Sequence, residues 1–263
     1  MLKYFPVVVL VAWFIMAIFG SFMGLHPDII QLPKILHAPD SLNWLGTDDL
    51  GRPILDRLIM GAQTSLMVAL WVTSISLLIG TFLGTASAYY GGWVDFIIVR
   101  INDVFLAVPG ILLAIAFAGI MGPVIENVVI ALSMVGWVGY ARLSRAQFLA
   151  LKHRDHVQAA VALGSSSFVI IRRHLIPLIS APLIVEATFG IAAVVLAEAG
   201  LSFLGLGVQP PEASWGSMIR DGTAYMLVAP HMVISPGIAM ILIVLSVNLL
   251  GDRLRDKLDI RTR

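Results

Sequence analysis

Long apolar runs separated by short polar turns dominate this sequence, and they decide what the chain can become. Runs at about 5–25, 66–90, 95–121, 125–143, 181–204 and 232–250 are each long enough, at about 1.5 Å per residue, to cross a hydrocarbon layer about 30 Å thick. A backbone in lipid must satisfy its own polar groups, which makes helices of segments this long. The expectation is an all-α integral membrane protein with six transmembrane helices. Composition points the same way, with 59% hydrophobic and 13% charged residues, against about 45–50% and about 25% in soluble domains.

Several function classes are excluded by what is missing. A net charge of +1 argues against nucleic acid as a partner. The chain has no cysteine, so disulfides, thiolate catalysis and cysteine-held metals are absent. His153 and His156 lie three apart outside any His-Glu-x-x-His context. There is no phosphate loop, nucleophile elbow or dinucleotide fingerprint. No catalytic, cofactor-binding or metal-ligating residue is expected.

The first run follows Lys3 and ends in Gly20-Ser21-Phe22-Met23-Gly24, a poor cleavage site, so residues 1–25 read as a retained helix rather than a signal peptide. Residues 26–62 form a polar, proline-broken loop. It contains the turn Leu45-Gly46-Thr47-Asp48-Asp49-Leu50-Gly51-Arg52, then Pro53 at a helix N1 position and an amphipathic helix at 54–59 that suits a membrane surface. In the second run Ser76, Gly80, Gly84 and Ala88 repeat every four residues. That spacing lets another helix approach closely. Pro109-Gly110 predicts a kink or break in the third run.

Two carboxylates fall in the fifth run. An intramembrane carboxylate faces protein or water rather than lipid. Glu186, near one end, reads either as an interfacial structural group or as part of a pathway. Glu198 precedes a glycine-rich exit and reads as a structural hydrogen-bonding group or a substrate contact.

Between the fourth and fifth runs lies an amphipathic polar stretch, 154–177. Asp155 is placed to cap a helix, with Gln158 three residues on to complete a capping box. Ala159, Ala160 and Ala162 favour helix, and Gly164 supplies a left-handed stop. Ser165, Ser166 and Ser167 are placed to cap a second short helix at 168–174, which Pro177 ends. The stretch reads either as a connecting loop or as a docking element made of two short helices at a glycine elbow.

Placing the N-terminus, the 90–100 turn, the 142–177 loop and the C-terminal tail on one side puts thirteen of the 17 Lys and Arg there. By the positive-inside rule that side is cytoplasmic, with both termini and the 154–177 loop. Lacking a nucleotide motif, paired repeats or several buried ion sites, such a chain draws its energy from another chain through this surface. An ion-coupled secondary transporter is the rival reading.

Gln158-Ala159-Ala160, Gly164 and Ile176-Pro177 resemble the EAA loop of ABC importer permease subunits. Three further segments resemble the C-type permeases of the dipeptide/oligopeptide/nickel group. They are the 45–52 turn, Leu201-Ser202-Phe203-Leu204-Gly205-Leu206-Gly207-Val208-Gln209-Pro210-Pro211, and Asn248-Leu249-Leu250-Gly251-Asp252-Arg253-Leu254-Arg255-Asp256. Gln158 stands where the pattern has Glu, His174 where it has Ile, and Pro53 where the group has Asp. The resemblance implies a type I importer fold in the inner membrane, with a transmembrane domain at 63–251 and a cytoplasmic tail at 252–263. It implies a homologous second permease, two cytoplasmic ATPase subunits that hold ATP and Mg, and an extracytoplasmic solute-binding protein. Asp155, Gln158, Ala159, Ala160, Gly164, Ile176 and Pro177 would form the ATPase-coupling loop. Di- or oligopeptides are the implied solutes, with nickel, another chelated metal or a glutathione-like solute as alternatives.

Overall fold

The computed structural model describes residues 4–166 and 169–258, and within them the only β feature is a single bridge between Thr47 and Pro53. Helix α1, Phe5–Phe19, begins with Pro6 in its first turn, where a missing N–H costs nothing. Its Trp13 is buried and donates Nε1 to the Ala62 carbonyl at 3.1 Å.

Helix α2, Ile54–Tyr90, is a single helix of 37 residues. The separate surface helix expected at 54–59 is therefore corrected: no proline interrupts 60–65, and protein rather than lipid headgroups covers this end. Gly61 lies against Trp215, with 2.9 Å from a would-be Cβ to Cδ1, and Arg57 is buried beside Asp48 at 3.5 Å. At about 1.5 Å per residue α2 is about 55 Å long and outruns the hydrocarbon layer.

The third run is two helices, α3 at Gly92–Leu106 and α4 at Gly110–Met121, set at 86° to each other. Pro109 has no N–H to continue α3, and its carbonyl instead starts α4 by accepting from Leu112 N at 2.9 Å. Helix α5, Ile125–Leu151, runs parallel to α2. Gly80 lies against Tyr140, Gly84 against Ser144, and Tyr89 against Phe148 further on. Because α2 and α5 point the same way, the chain must cross back between them, and the bent pair α3–α4 is that crossing. With it the described residues hold up to six segments long and apolar enough to cross a membrane.

Beyond α5 a short helix α6, Asp155–Ala162, is followed by a π-helical turn at Ile170–Leu175 that runs without a break into α7, Ile176–Phe203. Pro177 sits in the first turn of α7. This corrects the expectation that Pro177 ends a short helix at 168–174 and that the fifth span starts near 181. A proline in a first turn is harmless. Ser167 and Phe168 lie outside the described residues. Helix α8, Trp215–Thr223, arises inside what reads as a loop, started by a capping box in which the Ser214 and Ser217 side chains each bond the other's backbone. Serine in place of the usual Glu or Gln hides this start in the sequence. Helix α9, His231–Leu258, carries the last crossing straight into the charged tail.

α2 is the central element. It packs against α5 along one face, against α7 through Ser65 and Glu198, and against α1 through Ala62 and Trp13. The α6 end of the bundle carries the ends of α2, α5 and α9. The opposite end carries the 23–53 loop and α8.

Candidate functional site

The polar stretch at the α6 end is built as follows. Arg154, in extended conformation, is the N-cap of α6, and Asp155 is the first helical residue; no side chain caps the helix. Gln158 turns back to donate Nε2 to the Lys152 carbonyl at 3.3 Å. The expected Asp155–Gln158 capping box is therefore not formed. The helix starts one residue earlier than the box requires, at Asp155 itself, which is left as a negative charge in the first turn, where the helix dipole favours it.

The far end of α6 closes on Gly164 at φ +77°. Gly164 N donates to Val161 O at 2.9 Å and Ser165 N to Ala160 O at 3.0 Å. These are the two bonds of a Schellman stop, and a glycine is the residue that adopts this φ without strain.

Val157 and Ala160 are buried and face inward. They pack with Phe148 and Leu151 of α5, Ile170 and Leu175 of the π-turn, and Ile179 of α7. Asp155, Gln158, Ala159 and Ala162 are exposed on the outer side, and Val161 and Leu163 keep 54% and 86% of their surface open. Ile176 and Pro177 are exposed at the start of α7. The structure thus brings the candidate loop residues to one end of the bundle and splits them: Ala160 anchors α6, and the others form an outer face. A small-residue helix with an apolar tip, held by its inner side to three elements, offers a rigid surface for another protein.

The stripe Ser76, Gly80, Gly84 and Ala88 is buried and turned toward α5. A methyl group on Gly80 would lie 2.6 Å from Tyr140 Cβ, and one on Gly84 would meet Ser144 Oγ and the Ala141 carbonyl. Ser144 Oγ lies 3.3 Å from the Gly80 carbonyl, so the backbones meet almost directly.

The two carboxylates part company. Glu198 is only 1% exposed, accepts from Ser202 Oγ at 2.7 Å and from Ser65 Oγ at 3.4 Å, and ties α7 to α2. Ser202 Oγ in turn accepts from Val208 N at 3.2 Å, fixing the exit of α7. Glu186 is exposed on α7, lines clefts on both sides of that helix and accepts no hydrogen bond among the described residues.

Two charged groups of the structure escape sequence reasoning. Arg145 on α5 pairs with Asp95 on α3, with Nε to Oδ1 at 2.6 Å and Nη2 to Oδ2 at 2.7 Å, and Ser87 at the end of α2 also donates to Asp95. At the opposite end Asp48 accepts from Leu50 N at 2.9 Å, Arg52 N at 2.8 Å and Arg52 Nε at 2.7 Å, and Arg57 is beside it. Burial and the neighbouring Asp48 push the Asp49 carboxyl above its ordinary value. Among the described residues no three His, Asp or Glu gather to hold a metal ion.

Comparison with known proteins bears on the family and the fold. Residues 76–263 match the family described as binding-protein-dependent transport system inner membrane component. A glutathione transport system permease protein, GsiD, of Pectobacterium atrosepticum is 42% identical over 226 residues, covering 86% of this chain and 75% of the relative. A dipeptide transport system permease protein, DppC, of Alkalihalophilus pseudofirmus is 42% identical over 224 residues, covering 85% and 74%. Among solved structures, a chain of the MetNI methionine ABC transporter in an inward-facing conformation superposes with a TM-score of 0.66 at 16% identity, covering 78% of this chain and 98% of that one.

Proposed function

The chain belongs to the family of binding-protein-dependent transport system inner membrane components, and on that premise we propose that it forms half of the translocation pathway of an ATP-driven peptide importer. It is a permease subunit, not an enzyme, and ATP and Mg are held by separate ATPase subunits. A homologous second permease completes the pathway, and a solute-binding protein delivers solute at the α8 end. The α6 end faces the cytoplasm, with both chain termini, as the Lys and Arg excess there requires.

The single observation that carries the mechanism is the divided α6: an inner face fixed to α5 and α7, and an exposed outer face of small and apolar residues ending at Leu163. Closure of an ATPase pair pushes on that face. Because the π-turn passes into α7 without a break, the push reaches α7 and α5 as a rigid-body movement. Alternating access then follows from rocking of packed helices rather than from local unfolding.

Di- and oligopeptides are the solutes this reading favours, supported by the relative named for dipeptide transport. Glutathione, itself a peptide-like solute, is the second reading, supported by the equally similar relative named for it. The test is uptake by the full complex in proteoliposomes. Ala159→Trp, on the outer face, should abolish ATP-dependent peptide uptake while the chain still inserts and pairs. Uptake at the wild-type rate would remove the coupling role from this face.

A further inference from the structure

Glu186 is a carboxylate in an apolar helix, ten positions into α7, exposed and without an ion pair among the described residues. At the centre of a bilayer a charge facing lipid costs about 2.5–3.5 kcal/mol, so a carboxylate within a crossing turns to water, solute or protein. Two clefts open on either side of Glu186. One, about 730 Å³, lies between α5, α7 and α9 and carries Arg154 and Arg255. The other, about 800 Å³, lies between α3, α5 and α7 and carries Arg142, Arg145 and Asp103.

In the second cleft most charges are already committed. Arg145 is held by Asp95, and Asp103 lies 3.7 Å from Arg100. Glu186 and Arg142 remain, opposite in sign, both exposed, and not in contact with each other. The floor between them is Gly139. A Cβ there would lie 3.8 Å from Glu186 Oε1, so the carboxylate sits over the glycine. Arg142 follows three residues later, about 4.5 Å along the axis of α5. Gly139 is exposed and serves no close helix contact, whereas Gly136, one turn earlier, is pressed against Ser76. Asn102 lines the same cleft, 3% exposed, with Oδ1 left without a partner. A buried acceptor in that state costs about 1–3 kcal/mol unless something supplies a donor.

We propose that Glu186 and Arg142 form a solute-contacting charge pair in the translocation path, Glu186 receiving the α-ammonium of a passing peptide and Arg142 its carboxylate or carbonyl oxygens. The inference rests on the peptide-importer reading above. The scale fits: an extended dipeptide spans about 7 Å, and both clefts fall in the size range of small-molecule sites, about 300–1,000 Å³. Two fixed charges that do not neutralise each other bind a zwitterion weakly at two points, which a path must do if solute is to leave again.

The experiment uses the complete complex, with both permeases and ATPases in proteoliposomes, and dipeptide-loaded binding protein supplied outside. Glu186→Gln and Arg142→Gln should each lower peptide uptake per ATP hydrolysed about tenfold, the scale of one lost charge-assisted hydrogen bond. ATPase stimulation by the loaded binding protein should persist, and Glu186→Asp should restore most uptake. Unchanged uptake in Glu186→Gln overturns the proposal. So does loss of the second permease on purification of Glu186→Gln, which would make this charge an interface contact. If the wild-type complex takes up no peptide, the importer reading for peptides fails and this inference with it; wild-type uptake unaffected by the variants sinks the inference alone.

Discussion

Arg145 and Asp95 meet through two parallel hydrogen bonds, 2.6 and 2.7 Å long, across 50 positions of sequence. The pair joins the end of α5 to the start of α3 at the α6 end of the bundle, where the ATPase push would enter. Both side chains keep roughly a quarter to a third of their surface in solvent, so solvent screening limits what the pair contributes. Arg145→Lys keeps the charge and loses the fork. We expect it to lower folding stability by about 1 kcal/mol, and Asp95→Ala by about 1–2 kcal/mol, read as the thermal midpoint in detergent. No change in either variant would show the pair to be dispensable for stability.

The α2–α5 contact predicts a sharp contrast between glycines. Gly84→Val should destabilise by about 3 kcal/mol or more, because overpacking alone costs about 1–3 kcal/mol and here backbone must also move. Gly119 in α4 has nothing within 4 Å of a would-be Cβ, so Gly119→Ala should stabilise by up to about 1 kcal/mol. Equal effects at the two sites would mean that the close approach of α2 and α5 is misplaced.

Much of this was readable in the sequence, for reasons that can be named. The apolar runs mark every crossing because lipid demands continuous helix, and Pro109-Gly110 marks the place where the third one breaks. Gly164 marks the end of α6 because only a left-handed residue closes that helix. The helix start at 54 was legible from Pro53, but its continuity through 60–65 and the start of α7 at Ile176 were not. Pro177 punctuates a sequence in the same way whether it ends an element or starts one, and packing against Trp215 at one end and the α6 cluster at the other decides. The Asp95–Arg145 pair and the serine cage of Glu198 join residues 50 and 133 positions apart. No local period encodes such pairs. The division of the loop into an inner Ala160 and an outer Ala159 likewise appears only when α6 is packed.

Glu198 holds its serine partners from the centre of the bundle. Glu198→Ala strands two buried hydroxyls and opens a cavity, and should cost about 3 kcal/mol or more. Glu198→Gln keeps the shape and an acceptor oxygen and should cost less than half as much. Thermal unfolding of both variants checks this. Equal losses would point to the negative charge rather than the hydrogen bonds.

Asp49 supplies a pH dependence at the α8 end. Its folded-state pKa lies above its ordinary value of 3.8, so the folded chain binds more protons than the unfolded one between those two values. Its contribution to stability therefore falls as pH rises through that window. Asp49→Asn should flatten this part of the pH profile and raise stability at neutral pH. A steeper profile in the variant would reverse the sign assigned here.

The coupling role of the α6 end depends on what touches its outer face. The natural chain contains no cysteine, so a single one reports a single place. Leu163→Cys, at a position 86% exposed, should cross-link to an ATPase subunit in the assembled complex. Leu227→Cys, fully exposed at the opposite end, should give no such product and should cross-link to the binding protein instead. An ATPase cross-link from Leu227, or none from Leu163 in a complex that transports, would contradict the assignment of Asp155, Gln158, Ala159 and Gly164 to coupling.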